Sequence, residues 1–318
     1  MLKKCLTELL GELSMKVVSY LKTVPGNNNN PQKPEILKKF IQGVNACGDI
    51  GFVSNDSSIV ADADVAVIQG WVYADTSSPH LKFRKQLIDN QTVVTGDANL
   101  FLYHNKNNPH GYIRYSFNGI FPTTGNYCDS KVDPNRWLQI SKDTGIHLEE
   151  YKKLGSSIVL LLQRNNGWSL KGTPIHQWTT NVVSHLRKYT DRPIIIRTHP
   201  GDKRANTYIS QLQRLLVQYK NISISRVGAP LEQDLKTAWA VVNHNSSAAV
   251  GPIIQGYHCF LTDPNDSQCA EVSNTDFSKI ETPLEFNRQQ WLERISMFHW
   301  KFSELEGGTC WKHMREYI

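Results

Sequence analysis

The sequence predicts an α/β protein of two domains, the second built on a parallel, doubly wound sheet. Three observations carry this. Short apolar runs alternate with helical patterns at a regular pitch between residues 157 and 263, which implies right-handed crossovers between parallel strands. The polar residues of that half gather where the apolar runs end. A chain of 318 residues also suits two domains of ordinary size.

Taken in order, SIVLLLQ (157–163) reads as the first strand of the second half, and Trp178, Val182 and Leu186 then recur at helical spacing. PIIIRTH (193–199) is the next strand, followed by a helix carrying Ile209, Leu212, Leu215 and Leu216. ISISR (222–226) is strand-like, LEQDLKTAW (231–239) a short helix and AVVNHN (240–245) a strand. SSAAVGPIIQG (246–256) is a helix, and CFLTD (259–263) closes the series.

The first half is less regular. KVVSYL (16–21) and ADVAVIQGWV (63–72) read as strands around a helix near 35–44. Further strand-like runs are QTVVTG (91–96), NLFLYH (99–104) and GYIRYSF (111–117), and residues 1–14 read as a short helical extension. Near the end, Trp291, Ile295, Phe298, Phe302 and Leu305 recur at spacings of 4, 3, 4 and 3, the stripe of one helix packing back across its neighbour.

Composition bounds the function. Hydrophobic content of 40% supports packed cores, and no apolar run reaches the ~20 residues of a membrane helix. The first residues carry acids and no small-residue cleavage pattern, which argues against a signal peptide. Six cysteines lie scattered without zinc-type spacing, the usage of reduced thiols in a cytoplasm. Lysine and arginine exceed acids by 35 to 29, a net charge of +6 that suits a polyanionic or phosphate-bearing partner, or only a solvated surface.

In open α/β sheets, ligands bind beyond the carboxyl ends of the strands. Four loops of the second half place polar residues there: Gln163 and Arg164, then Arg197 and His199, then Asn243, Asn245, Ser246 and Ser247, then Thr262 and Asp263. Ser246 and Ser247 open a helix whose first N–H groups lack partners, and two hydroxyls beside small alanines suit a phosphate there. The plainer reading makes Ser246 an ordinary N-cap. Asp62-Ala63-Asp64 has the form of a sugar-transferase metal motif but precedes its strand, at the amino end.

A strand ending in His199-Pro200 and a Ser246-Ser247 helix start two strands later resemble the HP and SS motifs of GT-B glycosyltransferases. Bacterial sialyltransferases and capsule-type Kdo transferases carry them. The runs VAVIQGW, SPHLKFRKQ, YIRYSFNG, LLLQRNNGWS and RTHPGD are also similar to glycosyltransferases of tailed phages that modify DNA. The resemblance implies two Rossmann-like domains facing a cleft, with a C-terminal helix crossing back to the first. Residues 1–152 would bind the acceptor, 153–285 the nucleotide-sugar, and 286–318 would pack back on the N-terminal domain.

By the same resemblance His199 contacts the donor phosphate and serves catalysis, and Ser246 and Ser247 cradle that phosphate. Gln163, Arg164, Trp168, Ser169, Lys171, Asn243 and Asp263 line the donor site, with Asp266 a further candidate for the ribose or base. Arg197 offsets the charge of the leaving group in place of a metal. No cofactor is required. Because the Asp/Glu-Asp/Glu-Gly motif of sialyltransferases is absent, a UDP-sugar is favoured and a CMP-sugar is possible. The catalytic base would come from the first domain: Asp97 first, then His80 and Asp129. His80, Arg84, Arg114, Tyr115 and Asn118 would bind the acceptor, plausibly a hydroxymethylated or already glycosylated pyrimidine in phage DNA. Surface-glycan synthesis and a non-hydrolysing sugar-nucleotide epimerase are the alternatives. No membrane partner is implied, and the oligomeric state is open.

Overall fold

The computed structural model describes residues 14–21, 32–55, 59–71, 79–101, 111–165, 167–202 and 205–318, with side chains at 32–34 and 79–81 excepted. The expected extension over residues 1–14 lies almost wholly outside them. In chain order the elements begin β1 (Lys16–Tyr20), α1 (Gln32–Ala46), β2 (Ile50–Ser54), β3 (Val65–Gln69), α2 (Pro79–Asn90), β4 (Thr92–Asp97) and β5 (Tyr112–Phe117). There follow α3 (Pro134–Thr144), β6 (Ser157–Leu161), α4 (Ile175–Leu186), β7 (Ile194–Arg197), α5 (Asn206–Leu216), β8 (Ile222–Ile224), α6 (Leu231–Leu235) and β9 (Ala238–Asn243). The chain closes with α7 (Val250–Ile254), β10 (His258–Leu261), α8 (Arg288–Ser296), β11 (His299–Lys301), α9 (Phe302–Glu306) and α10 (Thr309–Arg315).

These elements form two compact units. The first holds Met1–Ile120, Thr124–Val132 and Ser296–Ile318; the second holds Phe121–Thr123 and Asp133–Ile295. The sheet of the first unit runs β11-β5-β4-β3-β1-β2. Strands β2, β1, β3 and β4 are parallel, whereas β5 and β11 add on antiparallel. One face packs on α1, α9 and α10 through Val17, Phe40, Val65, Val94, Trp300 and Trp311. The other packs on α2 through Val18, Ile68, Phe83, Leu87 and Val93. Alternate residues of each strand therefore serve opposite faces, as the pleat requires.

The second sheet runs β10-β9-β6-β7-β8, entirely parallel. Its central strand β6 is buried along its whole length, which explains why SIVLL shows no alternation. Ile158, Leu160, Ile196 and Phe260 meet α4 and α5 on one face, and Val159, Leu161 and Val241 meet α6 on the other.

Two local expectations differ from the structure. The stripe from Trp291 to Leu305 is not one helix but α8, β11 and α9. The strand His299–Lys301 falls between Phe298 and Phe302, so their spacing of 4 spans a break in the helix, and β11 gains ladder hydrogen bonds from β5. Of the strand expected over 99–104, Asn99 to Phe101 are irregular and the rest lies outside the described residues. Strand β2 and helix α2 were not foreseen.

Candidate functional site

In the second sheet β6 connects onward to β7 on one side, while β9 connects to β10 on the other. The two loops part between β6 and β9, the switch point where α/β sheets open a ligand crevice. Leu161 stands beside both Arg197 and Asn243, so three loops leave the sheet from one row. Strands lie ~4.8 Å apart, so the β7 and β9 loops begin about 10 Å from each other.

A buried bond spans the switch point itself. Gln163 Nε2 donates to Asn245 Oδ1 at 2.7 Å, and Asn245 Nδ2 donates to Asp263 Oδ2 at 3.1 Å. The fully buried Asn243 accepts the Ser246 N–H at 2.8 Å. Ser246 is an N-cap, its Oγ accepting from Ala248 N at 3.1 Å. Its hydroxyl proton finds no acceptor among the described residues, nor does that of Ser247 beside it, so the capping and phosphate readings are compatible in one residue.

The β7 loop supplies His199. Its Nδ1 accepts the Gly201 N–H at 2.9 Å, which places the proton of the neutral ring on Nε2. Burial lowers the His199 pKa, the charge of Arg164 lowers it further, and Asp202 opposes both. The ring is therefore a neutral Nε2–H donor at pH 7. Arg164 and His199 converge over Gly201: a Cβ there would lie 2.7 Å from Arg164 Nη2 and 3.1 Å from His199 Cε1. The buried Asp202, which sequence reading passed over, accepts the Asn165 N–H at 3.0 Å and so ties the β6 and β7 loops together. Arg197 is occupied elsewhere. It pairs with Asp234 at 2.8 Å and donates to the Ala229 carbonyl, with its side chain only 11% exposed.

His244 was also missed, although it stands inside the Asn243–Ser247 turn. Its Nε2 lies 3.0 Å from the Ser169 carbonyl and must carry the proton; its Nδ1 lies 2.7 Å from Thr262 Oγ1, which accepts from Trp178 Nε1 at 3.3 Å. Burial lowers the His244 pKa first, against the Ser169 contact and Asp263 at 3.7 Å. His244 thus pins the turn Trp168–Leu170 to the ends of β9 and β10. Trp168 stays 42% exposed, and Lys171 reaches Asp266 at 3.9 Å. Lys171 adopts the left-handed conformation, φ 47°. A cavity of about 290 Å³ opens beside His244, Thr262, Trp178 and Asn181.

In the first unit, Asp97 ends β4 and Arg114 Nη2 donates to its Oδ2 at 3.0 Å. Arg84 sits on α2, half-buried. His80 opens the same helix, its side chain outside the described residues. Tyr115 is in the core of the opposite face, its hydroxyl donating to the Ile36 carbonyl at 2.8 Å. Asn118, at φ 52°, accepts from Val93 N at 3.0 Å, at the other end of β4 from Asp97. Asp62 and Asp64 both bind Lys16 at the amino ends of β1 and β3. Among the described residues no three His, Cys, Asp or Glu side chains are grouped to hold a metal. No helix among them is long and apolar enough to cross a membrane.

No protein-family model matches the chain, and no curated protein does. Solved structures do. The β-Kdo 2,7-transferase KpsC of Thermosulfurimonas dismutans is similar with a TM-score of 0.52 at 12% identity, over 93% of this chain and 98% of that one. The β-Kdo 2,4-transferase KpsC of the same organism gives 0.47 at 10% identity, over 89% and 90%. The Methanocaldococcus jannaschii UDP-GlcNAc 2-epimerase, solved with UDP-GlcNAc and UDP, gives 0.35 at 14% identity, over 96% and 100%. The fold is what the first of these likenesses shows: the chain is an α/β protein of the GT-B type, with two Rossmann-like units and a C-terminal segment that returns to the first.

Proposed function

We propose that this chain is a glycosyltransferase that takes a sugar from a nucleotide-sugar donor without a metal. The observation that carries this reading is the edge shared by the β6, β7 and β9 loops, where His199, Arg164, Ser246 and Ser247 present donors around a switch point. That set suits phosphate oxygens: a neutral imidazole N–H, a guanidinium and two hydroxyls. That a Kdo transferase shares the fold supports the same class.

In the reaction, the bond between the anomeric carbon and the phosphate oxygen breaks, and its electron pair stays on the phosphate. A hydroxyl oxygen of the acceptor forms the new bond and gives its proton to a carboxylate. On this reading His199 Nε2–H and Arg164 would donate to the phosphate as its charge grows. Arg164 takes the role first considered for Arg197, whose guanidinium holds Asp234. Asp97 is the carboxylate proposed for the acceptor proton, held in orientation by Arg114.

A thermal-shift panel of UDP-, CMP- and GDP-sugars tests the donor site. At least one should raise the melting temperature, and His199→Ala should abolish that rise. If none stabilises the protein, the donor reading fails. If a sugar is isomerised in place with no acceptor present, the epimerase reading replaces transfer.

A further inference from the structure

The first unit concentrates unpaired buried polar atoms in one place. Val93 belongs to the core facing α2, so Thr95 and Asp97 point to that same face two and four residues on. Asp97 pairs in register with Arg114, and Arg114 with His299, so these three form one cross-strand row on the α2 side. Here Thr95 Oγ1, Asn99 Nδ2, and Arg114 Nε and Nη1 are all buried without a hydrogen-bond partner among the described residues. Thr95 is 0% and Arg114 7% exposed. Only one arm of that guanidinium is used, by Asp97.

A second cation comes from α2. Arg84 is half-buried and has no hydrogen-bond or ion-pair partner among the described residues. Burial pushes its pKa below the usual arginine value, so the charge is drawn part-way out of water with no counter-charge among the described residues. It lies over the exit of β3: a Cβ on Gly70 would stand 3.8 Å from Arg84 Nη1, and Gly70 N donates to Gly96 O at the end of β4. The Arg84 guanidinium beside Gly70 and the Arg114–Asp97 pair thus both stand toward the carboxyl ends of the neighbouring strands β3 and β4. An orphaned buried donor costs about 1–3 kcal/mol, and a buried charge more. Several such groups together call for an explanation, and one bound ion would serve all of them.

We infer that this corner, Arg84 with Thr95, Asn99 and Arg114, is a binding site for one oxyanion, the carboxylate or phosphate of an acidic sugar that serves as acceptor. The word acceptor rests on the transferase reading; the oxyanion site does not. A single buried anion fits the corner better than a nucleic-acid backbone, whose successive phosphates call for a row of exposed cations. Asp97 in the same row places a proton-accepting carboxylate beside the bound acid.

The full chain tests this by calorimetric titration with D-glucuronate, glucose 6-phosphate, glucose and a DNA dodecamer. Wild type, Arg84→Gln, Thr95→Val and, as a control on the surface of the other unit, Lys188→Gln are compared. The acids should bind wild type and Lys188→Gln alike, glucose should not bind, and Arg84→Gln should weaken the acids at least tenfold. Thr95→Val, isosteric and safe for folding, should weaken them about fivefold. Glucuronate alone binding identifies the carboxylate, glucose 6-phosphate alone the phosphate, and both the shared oxyanion chemistry. The inference is overturned if neither acid binds, if glucose binds equally, if Arg84→Gln binds as wild type does, or if only DNA binds. Loss of the transferase reading would show instead as no response to any nucleotide-sugar, leaving these titrations unchanged.

Discussion

The two units solve the same architectural problem with different economy. In the second, every strand is parallel and the polar side chains at its carboxyl edge satisfy one another: Gln163 with Asn245, Asn245 with Asp263, His244 with Thr262 and Ser169. In the first, two antiparallel strands extend the sheet and leave Thr95, Asn99 and Arg114 with unmet buried donors or acceptors. On the readings proposed above, the contrast would separate a site organised before its ligand arrives from one that a ligand would complete. Preorganised donors gain most at a developing charge; unmet ones gain most in discriminating what enters.

Breaking the organised edge should have the largest effect. His199→Ala should lower turnover of the donor by about 100-fold or more, with the melting temperature preserved; an unfolded variant would make His199 structural. A change in the helix packing of the first unit, on the face opposite Arg84 and Arg114, should be visible in stability alone. A Cβ at Gly43 would lie 1.9 Å from the Leu305 carbonyl, so Gly43→Ala should cost ~1–3 kcal/mol in urea melts while nucleotide-sugar affinity holds. Equal loss of affinity would mean the units do not behave separately. Asn245→Leu strands both Gln163 and Asp263 and should cost about 1–3 kcal/mol, together with weaker donor binding.

The smallest effect concerns pH. His258, 4% exposed and stacked on Tyr151 at 4.8 Å, has a pKa lowered chiefly by burial, with Lys153 and Arg288 adding to it against Glu285. His199 and His244 shift the same way. A lowered folded pKa means the unfolded chain binds protons first. Stability is therefore full above the usual value of 6.5 and declines as pH falls below it. His258→Phe should flatten that decline in melts from pH 7.5 to 5; an unchanged slope would assign it to the other two histidines.

The same contrast explains what could be read in advance. The strands of the second unit were legible because each is a short run of β-branched and leucine residues ending in polar ones. Strand β2 was not, because IGFVS is an edge strand with Ile50 and Phe52 exposed and a glycine between them. Strand β11 hid within a helical stripe because its partner β5 lies almost two hundred residues earlier. Local spacing carries no trace of a pairing that distant. At the candidate site, His199, Ser246 and Ser247 announced themselves by standing at strand ends. His244 and Asp202 did not, since their work is to hold other loops through bonds that only the folded chain creates.

Strand β11 has a consequence for how the protein is made. The first sheet is completed by residues 299–301, which leave the ribosome after all of Asp133–Ile295. The unit that begins first is therefore finished last. During synthesis β5 waits with an open edge while the whole second unit can form, the reverse of the usual N-terminal-first order. Such an edge is a template for pairing with other chains. Slow or stalled translation just before Ser296 should be the moment at which a chaperone is most needed.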